Sequence, residues 1–394
     1  MTAPERVSAL SEAVPAAQWR RLLAGLEEAG QHIIAGARVQ TPVAQGQAVR
    51  YLQRVLRGML LTGIEVDDPD YPQLVRLFDS YLPYGNSNPD CIYLHATVSP
   101  RHTYRIFGSR GTAPIVEVQV MDGHFLAGPN HQSLTTLADL KADADGQLEI
   151  ILSATPHRGN WVRLDPTASW LYLRQYFYDW EREVPAHLVI ERLGAQYPPP
   201  LPSASVIAQR VERVIGWMPT WFRHLERRIE TYYQSPPGRL QFTASSAGMD
   251  GVLYGKGYAQ LGAGEAAILE FRPPPCRYWS VQVMNDFWES QEFDLRQTSL
   301  NGHQAQLDPD GIFRGVISVT DPGVPNWLDP VGHQNSMICA RVLYAQSTPE
   351  VQLRVVPLAR LRAELHPETP HLSAPDRSAQ LRARMLAARR RYRE

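Results

Sequence analysis

The sequence predicts a mainly β protein with added helices, of the α+β class, in which two tandem jelly-roll-like β-sandwich units are joined by a helical pair. Residues 278–286 read YWSVQVMND, and residues 116–122 read VEVQVMD. In both runs apolar and polar residues alternate, and many of the apolar ones are β-branched. This pattern is typical of a half-buried strand. The near-identity of two distant strands indicates a repeated β unit.

The same landmarks follow in the same order around each copy. Each copy has an entry strand, a central strand, an Asn-Trp loop, an Asp-Pro step and a later strand. These lie at 91–98, 116–122, 160–161, 165–166 and 170–180 in the first copy and at 248–261, 278–286, 326–327, 329–330 and 337–344 in the second. The correspondence places Arg341 near the position of Arg174.

The 394-residue chain is long enough for two to three domains. Its 39 Lys and Arg residues balance 40 Asp and Glu residues, so the composition gives no reason to expect nucleic acid as a partner. The 9 Trp and 17 Tyr residues suit β-sandwich cores and pockets for apolar ligands. We find no disulfide or zinc pattern, no secretory signal and no run that spans a bilayer. We therefore expect a cytoplasmic protein without a transmembrane segment, and a homo-oligomer is an open alternative.

The chain divides into five predicted segments. They are an N-terminal helical segment at 1–80, a first β-sandwich unit at 81–196, a Pro-rich linker with a helical pair at 197–238, a second β-sandwich unit at 239–360 and a C-terminal basic helix at 361–394.

Several helix boundaries follow from local signals. Thr41 before Pro42 predicts a helix start, and Asp70 is the predicted cap of a third N-terminal helix. A short helix is predicted at 134–140, and Pro219 is predicted to separate the two helices of the pair. The basic C-terminal helix is expected to be solvated and docked by its apolar side chains, Leu381, Met385 and Leu386; binding to a polyanion or a membrane surface is the alternative.

These motifs resemble a known family. The runs NPDCIY at 88–93, RYWSVQVMND at 277–286 and PNWLDP at 325–330 are similar to bacterial proteins known as domain of unknown function 1214. The first unit resembles the companion domain that often precedes this one, with Cys91 where that pattern usually has Thr. The resemblance covers most of residues 80–358. It implies jelly-roll-like β units with inserted helices and implies little about a reaction.

The first candidate site is the entrance of the strand at 91–98. Asn88 and Asp90 precede this strand, and Tyr93 and His95 share one of its faces because they are two residues apart. A carboxylate, a phenol and an imidazole at one strand entrance suit general acid and base catalysis. The alternative is that Asn88 and Asp90 are turn residues bonded to their own backbone. The matching part of the second copy holds Asp250, Tyr254 and Lys256.

The second candidate site follows the second central strand. Asp286, Glu289, Glu292 and Asp294 are four acids within nine residues, and Trp288 lies among them. Such a cluster suits acid/base catalysis or a hard metal ion, and a solvated loop is the alternative. The first copy has other polar residues in this place, namely Asp122, His124 and His131.

Two tryptophans and two arginines complete the candidates. Trp161 and Trp327 lie in loops that close the β units, where a Trp most often fills a core. Arg174 and Arg341 lie on strands. A buried Arg usually pairs with a carboxylate of the protein, and a substrate anion is the alternative partner.

The sequence lacks the motifs GxSxG, HExxH, the P-loop and GxGxxG. We therefore predict a cofactor-independent hydrolase or lyase, without a bound metal, that acts on a small, mostly apolar or amphipathic molecule in an aromatic-lined cleft between the β units. The predicted catalytic residues are Asp90, Tyr93, His95, Asp286 and Glu289. The predicted substrate-binding residues are Asn88, Trp161, Tyr254, Trp288, Trp327 and Arg341. A ligand-binding or interaction protein without turnover and a metal-dependent enzyme are the alternatives.

Overall fold

A computed structural model describes residues 14–36, 39–128, 132–244 and 251–392 of the chain. Two helices open this part, α1 at Val14–Ile34 and α2 at Pro42–Leu60, and a π-helical turn at Leu61–Glu65 extends α2. The predicted start of α2 is confirmed, because the Thr41 hydroxyl accepts a hydrogen bond from the Ala44 backbone amide at 3.1 Å. Among the described residues, no helix is both long and apolar enough to cross a membrane.

The predicted third N-terminal helix is wrong. Val75–Phe78 forms a strand, β1, which pairs antiparallel with the strand at Cys91–Thr97. Four residues are too few to sustain a helix by themselves. The backbone hydrogen bonds that a neighbouring strand offers therefore decide the conformation of this segment.

The first β unit contains two sheets. Its further strands are β2 (Cys91–Thr97), β3 (Tyr104–Ser109), β4 (Ile115–Asp122), β5 (Gln132–Leu137), β6 (Gln147–Ser153), β7 (Asn160–Arg163), β8 (Ala168–Tyr176) and β9 (His187–Arg192). The five-stranded sheet has the order β1-β2-β8-β4-β5, and the four-stranded sheet has the order β7-β6-β3-β9. The helix predicted at 134–140 is wrong, because β5 continues the larger sheet beside β4.

The second β unit repeats this topology. Its strands are β10 (Gln241–Ala244), β11 (Val252–Gln260), β12 (Glu265–Phe271), β13 (Tyr278–Met284), β14 (Ser299–Asn301), β15 (Phe313–Ile317), β16 (Trp327–Leu328), β17 (Asn335–Leu343) and β18 (Gln352–Pro357). The sheet orders are β10-β11-β17-β13-β14 and β16-β15-β12-β18. Strand for strand they match the first unit, so the predicted α+β class and the internal repeat are confirmed.

The two central strands, β4 and β13, are buried on both faces. In β13, Trp279, Val281 and Val283 belong to the sandwich core of the second unit. The alternate residues of the same strand point away from that sandwich, and Tyr278 and Met284 join a different core shared with the helices and the first unit. One face of each large sheet thus packs into a sandwich core, and the opposite face of the sheet packs against the rest of the molecule.

The predicted helical pair is one continuous helix, α3, at Ala204–Tyr233. Pro219 lies inside it and removes one backbone donor. Trp217 and Trp221, on either side of Pro219, are both buried in the shared core. Packing of this apolar stripe holds the helix together where local preference predicted a break.

The C-terminal helix is also docked differently from the prediction. After a short helix, α4 (Leu361–Glu364), helix α5 spans Ala374–Arg391. Its buried side chains include Arg377, Arg384 and Arg391, whereas Leu386 is 43% exposed. The guanidinium groups lie over aromatic rings, as that of Arg391 does over Trp180 at 4.0 Å. These arginines serve as packing residues.

Candidate functional site

The strand registers bring two equivalent Tyr-Arg pairs to the inner faces of the large sheets. Tyr93 of β2 lies opposite Arg174 of β8, which lies opposite Glu117 of β4. In the second unit, Tyr254 of β11 lies opposite Arg341 of β17. The third position of that row holds a serine, Ser280, in place of the glutamate. The repeat therefore builds two similar polar rows that differ by one carboxylate.

Both rows open into one cleft of about 240 Å³ between the β units and helix α3. Aromatic and basic side chains dominate its walls, which also include the loop after β1. The described lining residues are Phe78, Gly85, Asn86, Ser87, Tyr93, Phe125, Tyr172, Arg174, Tyr176, His224, Arg228, Tyr232, Thr243, Ala244, Tyr254, Lys256, Trp288 and Arg341.

Arg341 is held by neutral groups. Its guanidinium donates to the Gln282 side-chain oxygen at 2.9 Å and to both the backbone and the side-chain oxygens of Asn86, at 2.5 and 2.9 Å. None of these acceptors carries a negative charge. The fixed positive charge of Arg341 therefore stays available to an anion in the cleft.

The loop segments that carry Asn86 and Trp288 are strained and joined to each other. Asn86 has φ 54° and Trp288 has φ 60°, a left-handed conformation that is costly for a bulky side chain. The Asn86 amide donates to the Trp288 carbonyl at 2.7 Å. Packing of the two segments against each other stabilises this unfavourable backbone conformation, in which Trp288 and Asn86 line the cleft.

Arg174 is the neutralised counterpart of Arg341. Its Nη1 donates to Glu117 at 3.2 Å and to the Gln119 side-chain oxygen. Its guanidinium also lies 4.6 Å from the centre of the Tyr172 ring. Glu117 is fully buried behind Arg174 and does not line the cleft.

Two further cations come from other elements. Arg228 of α3 lies 5.9 Å from the Trp288 ring, and its Nε is 3.3 Å from His224. Lys256 of β11 is half-buried, and its amine lies 5.9 Å from the Tyr232 ring. Burial and the neighbouring Arg228 lower the pKa of the Lys256 amine. The described lining residues include four cations and no acidic side chain, so the cleft carries positive charge.

Four of the residues predicted from the sequence line this cleft, namely Tyr93, Tyr254, Trp288 and Arg341. Asn88 lies directly behind it. Its backbone amide donates to the Tyr93 hydroxyl at 3.0 Å, and its side-chain amide donates to the Tyr278 hydroxyl at 2.8 Å. Asn88 thus positions the Tyr93 phenol.

Asp90 is fully buried outside the cleft lining and joins the two β units. Its carboxylate accepts hydrogen bonds from Trp180 Nε1 at 2.7 Å, from Asn301 Nδ2 at 2.8 Å and from the Tyr278 hydroxyl at 2.5 Å. The Asn88 side chain fixes the turn, because its oxygen accepts a hydrogen bond from the Asp90 backbone amide at 3.0 Å. Burial raises the pKa of Asp90.

His95 is also fully buried outside the lining, and its ring stacks on Trp170 at 4.5 Å. Neither ring nitrogen has a hydrogen-bond partner among the described residues. Burial lowers the pKa of His95 to about 3, so the imidazole is neutral at neutral pH.

The acidic side chains after β13 make separate structural contacts. Glu289 is fully buried and pairs with Arg54 of α2 at 2.7 Å, and Asn285 donates to it at 2.8 Å. Asp286 accepts from the Tyr233 hydroxyl and faces a separate pocket of about 730 Å³ together with His333. These two carboxylates do not enter the cleft with the Tyr-Arg rows.

The two predicted loop tryptophans lie in equivalent short strands, β7 and β16, which pair in parallel with β6 and β15. Neither tryptophan lines the cleft. Trp161 donates to the backbone oxygen of Ser153 at 3.3 Å, and Trp327 donates to that of Ser318 at 2.9 Å. The preceding Asn side chains bridge neighbouring loops through backbone groups.

Metal ligands are not grouped in the described part of the chain, where no three or more His, Cys, Asp or Glu side chains lie together. His131 and Asp250, which the sequence placed near the candidate sites, lie outside the described residues.

Arg174 was considered together with Arg341, and its contact with Glu117 matches the carboxylate partner expected of a buried Arg. Sequence reasoning did not select several other cleft residues as ligand contacts. Lys256 shares a strand face with Tyr254. Arg228 had no such signal, because only tertiary packing brings α3 over the two sheets.

Comparison with known families agrees with this repeated architecture. The family model described as "Protein of unknown function (DUF1214)" matches residues 96–178 and 260–347. The chain is similar to this family in both of its β units. Each unit carries one matched region, so the first unit matches the same model that the motifs of the second unit had suggested.

Solved structures include a close match for the fold. An uncharacterized protein from Burkholderia cenocepacia is 29% identical, with a TM-score of 0.82, over 87% of this chain and 97% of that chain. The VPA0106 protein from Vibrio parahaemolyticus is 14% identical, with a TM-score of 0.45, over 78% of this chain and 98% of that chain. No curated protein matches the sequence.

Proposed function

We propose that this protein binds a small organic anion, a carboxylate with an aromatic or apolar body, in the cleft between its β units. The observation that carries the proposal is the cleft's charge: four cations line it, and the described lining residues include no acid. Clefts that combine apolar walls with a few convergent polar groups are the usual form of small-molecule sites.

The walls suit the body of such a ligand. Tyr93 and Tyr254 stand beside the two strand arginines, and Trp288 and Phe125 contribute further apolar surface. Ring faces provide large contact area at little entropic cost. The cleft volume of about 240 Å³ favours a ligand of one ring with a short acidic side chain over a long lipid.

Arg341 is the proposed main anion contact, because neutral acceptors hold it, whereas Glu117 already compensates Arg174. Arg228 is the proposed second contact. Two guanidinium groups from different elements can hold a carboxylate by charge-assisted hydrogen bonds. The catalytic roles predicted for Asp90, Tyr93, His95, Asp286 and Glu289 remain predictions. Of these five residues, Tyr93 lines the cleft.

Calorimetric titration with phenylacetate tests the proposal. Phenylacetamide and phenethylamine have similar size, so they isolate the effect of charge. We expect measurable binding of phenylacetate, at least tenfold weaker binding of the amide and no binding of the amine. Equal affinity for the acid and the amide, or no binding of phenylacetate, would overturn the proposal.

Two adjacent arginines of α3 provide a matched pair of variants. Arg228 lines the cleft, and Arg227 is exposed on the outer surface. One charge at about 6 Å in an effective dielectric of about 20 is worth at most roughly 3 kcal/mol. Arg228 is partly solvated, so we expect Arg228→Gln to weaken phenylacetate binding by about tenfold, or roughly 1.4 kcal/mol. Arg227→Gln is expected to leave the affinity unchanged, and an equal effect of both variants would refute the assigned site.

A further inference from the structure

The rarity of lysine in this chain singles out one cleft residue. Of the 39 basic residues, two are lysines, Lys141 and Lys256, and the rest are arginines. Lys141 is exposed, whereas Lys256 lies in the cleft. An arginine keeps its proton in every protein environment, but a lysine amine can lose it and act as a nucleophile. Lys256 is therefore the cleft cation that can also act as a nucleophile.

The fold fixes Lys256 on the inner face of β11. Gly255 and Gly257 flank it and carry no side chains on the opposite face. A Cβ at Gly255 would lie 2.6 Å from the Phe242 ring, and one at Gly257 would lie 3.0 Å from Leu240. Both neighbours belong to the β10 region. The two glycines therefore allow the β10 region to pack closely against the strand that presents the amine.

The surroundings of the amine favour its neutral form. Lys256 makes no ion pair or hydrogen bond with any described residue; its one ring contact is the distant Tyr232. Partial burial lowers the pKa of the amine, and the nearby positive charge of Arg228 acts in the same direction. Desolvation and a neighbouring cation are the two conditions that activate lysine nucleophiles.

We propose that Lys256 forms an imine with the carbonyl group of a small oxo acid whose carboxylate occupies the cationic cleft. This inference rests on the proposed anion binding. The amine nitrogen adds to the carbonyl carbon as the C=O π electrons move to oxygen, and one proton passes from nitrogen to that oxygen to give a carbinolamine. The hydroxyl then leaves with the second nitrogen proton as water while the nitrogen lone pair forms the C=N bond, so one water leaves for each imine formed. No oxidant or further reactant is needed.

Reductive trapping with phenylpyruvate tests the inference. The full-length protein is incubated with phenylpyruvate and sodium cyanoborohydride near neutral pH, and the product is analysed by intact mass and peptide mapping. Hydride addition to the imine carbon gives a stable secondary amine. We expect one adduct per chain, at Lys256, with Lys141 and the N-terminal amine at least tenfold less modified.

Variants and a pH profile distinguish imine formation from a purely electrostatic role of Lys256. Lys256→Arg keeps the positive charge and removes the nucleophile, so the specific adduct should disappear. Lys141→Arg should leave trapping at Lys256 unchanged. Trapping at Lys256 should also persist to lower pH than trapping at Lys141, because a lowered pKa leaves more amine neutral.

The outcomes distinguish this inference from the proposed function. Phenylacetate binding without an adduct would overturn the imine and leave the anion site standing. Equal modification of Lys256, Lys141 and the N-terminus would overturn it as non-specific chemistry. Failure of both phenylacetate binding and trapping would overturn the anion site itself.

Discussion

Replacing Asp90 with alanine removes the carboxylate that connects the two β units. Trp180 of the first unit and Asn301 and Tyr278 of the second all donate hydrogen bonds to it. In Asp90→Ala these three buried donors lose the carboxylate, and Asn301 and Tyr278 each keep a weaker acceptor. The structure therefore predicts a large loss of stability, whether or not the protein is an enzyme.

The magnitude follows from the number of groups left without a partner. Each unsatisfied buried donor costs about 1–3 kcal/mol, so three such donors would cost about 3–9 kcal/mol. This is an upper range, because the Tyr178 carbonyl remains an acceptor for Asn301 and the Asn88 side-chain oxygen remains one for Tyr278. Arg384 and Arg391 are both buried and would also lose their attraction to the Asp90 charge. Release of a desolvated carboxylate offsets part of this cost, since burial raises the pKa of Asp90. We expect a net loss of about 3–5 kcal/mol, which is typical of a broken buried charge contact.

Urea unfolding, followed by tryptophan fluorescence and by circular dichroism, measures this loss. Asp90→Asn keeps one oxygen acceptor and should cost less, about 1.5–3 kcal/mol. Asp145→Ala in an exposed turn is the control and should stay within about 0.5 kcal/mol of the unmodified protein. A loss below about 1 kcal/mol for Asp90→Ala would refute the structural role. Asp90→Asn with unchanged stability and abolished turnover of an identified substrate would instead support the predicted catalytic role.

Three further perturbations probe the cleft and the buried polar groups. Glu117→Gln removes the charge that compensates Arg174, so phenylacetate should bind about tenfold more tightly by calorimetry; weaker binding by a correctly folded variant would contradict the charge model. Arg54→Met leaves Glu289 buried without its ion partner and should cost about 3–5 kcal/mol in urea unfolding, and adding Glu289→Gln should recover part of that loss; no recovery would argue against the ion pair. His95→Phe should raise stability by up to about 2 kcal/mol, because the ring nitrogens of His95 are buried without partners. Burial lowers the pKa of His95 from 6.5 to about 3. As the pH falls through this window, the unfolded state binds a proton at His95 that the folded state does not, so the unmodified protein loses stability and the advantage of His95→Phe should grow. A constant difference in stability between the two proteins across pH would refute this prediction.

The repeat and the strand pattern allowed much of the architecture to be predicted from the sequence. The alternation in residues 116–122 and 278–286 is local, because one face of a strand must be apolar to build a sandwich. The equivalence of Arg174 and Arg341 followed from the order of landmarks, and the strand registers agree with it. The cleft residues Tyr93, Tyr254 and Arg341 were candidates at matching positions of the repeat, whereas Trp288 was a candidate because it lies among the acids after the second central strand.

The incorrect local predictions came from segments whose conformation depends on distant partners. The segment that begins at Asp70 carries apolar residues at helical spacing but completes a sheet, since β2 offers hydrogen bonds to β1. Pro219 should interrupt a helix, yet the burial of Trp217 and Trp221 keeps α3 continuous. Helix α5 docks through arginines, because aromatic rings elsewhere in the fold accept their guanidinium groups.

The sequence by itself determined the α+β class, the two β units and the pairing of equivalent residues, because strand alternation and repetition are written in neighbouring positions. Only the tertiary structure decided which polar residues share a site. Asp90 and His95 are close in sequence to Tyr93 but buried away from the cleft lining, whereas Arg228 and Lys256 reach it from different elements. The charge of a cleft depends on side chains brought together by packing over long sequence distances, and no local pattern records that.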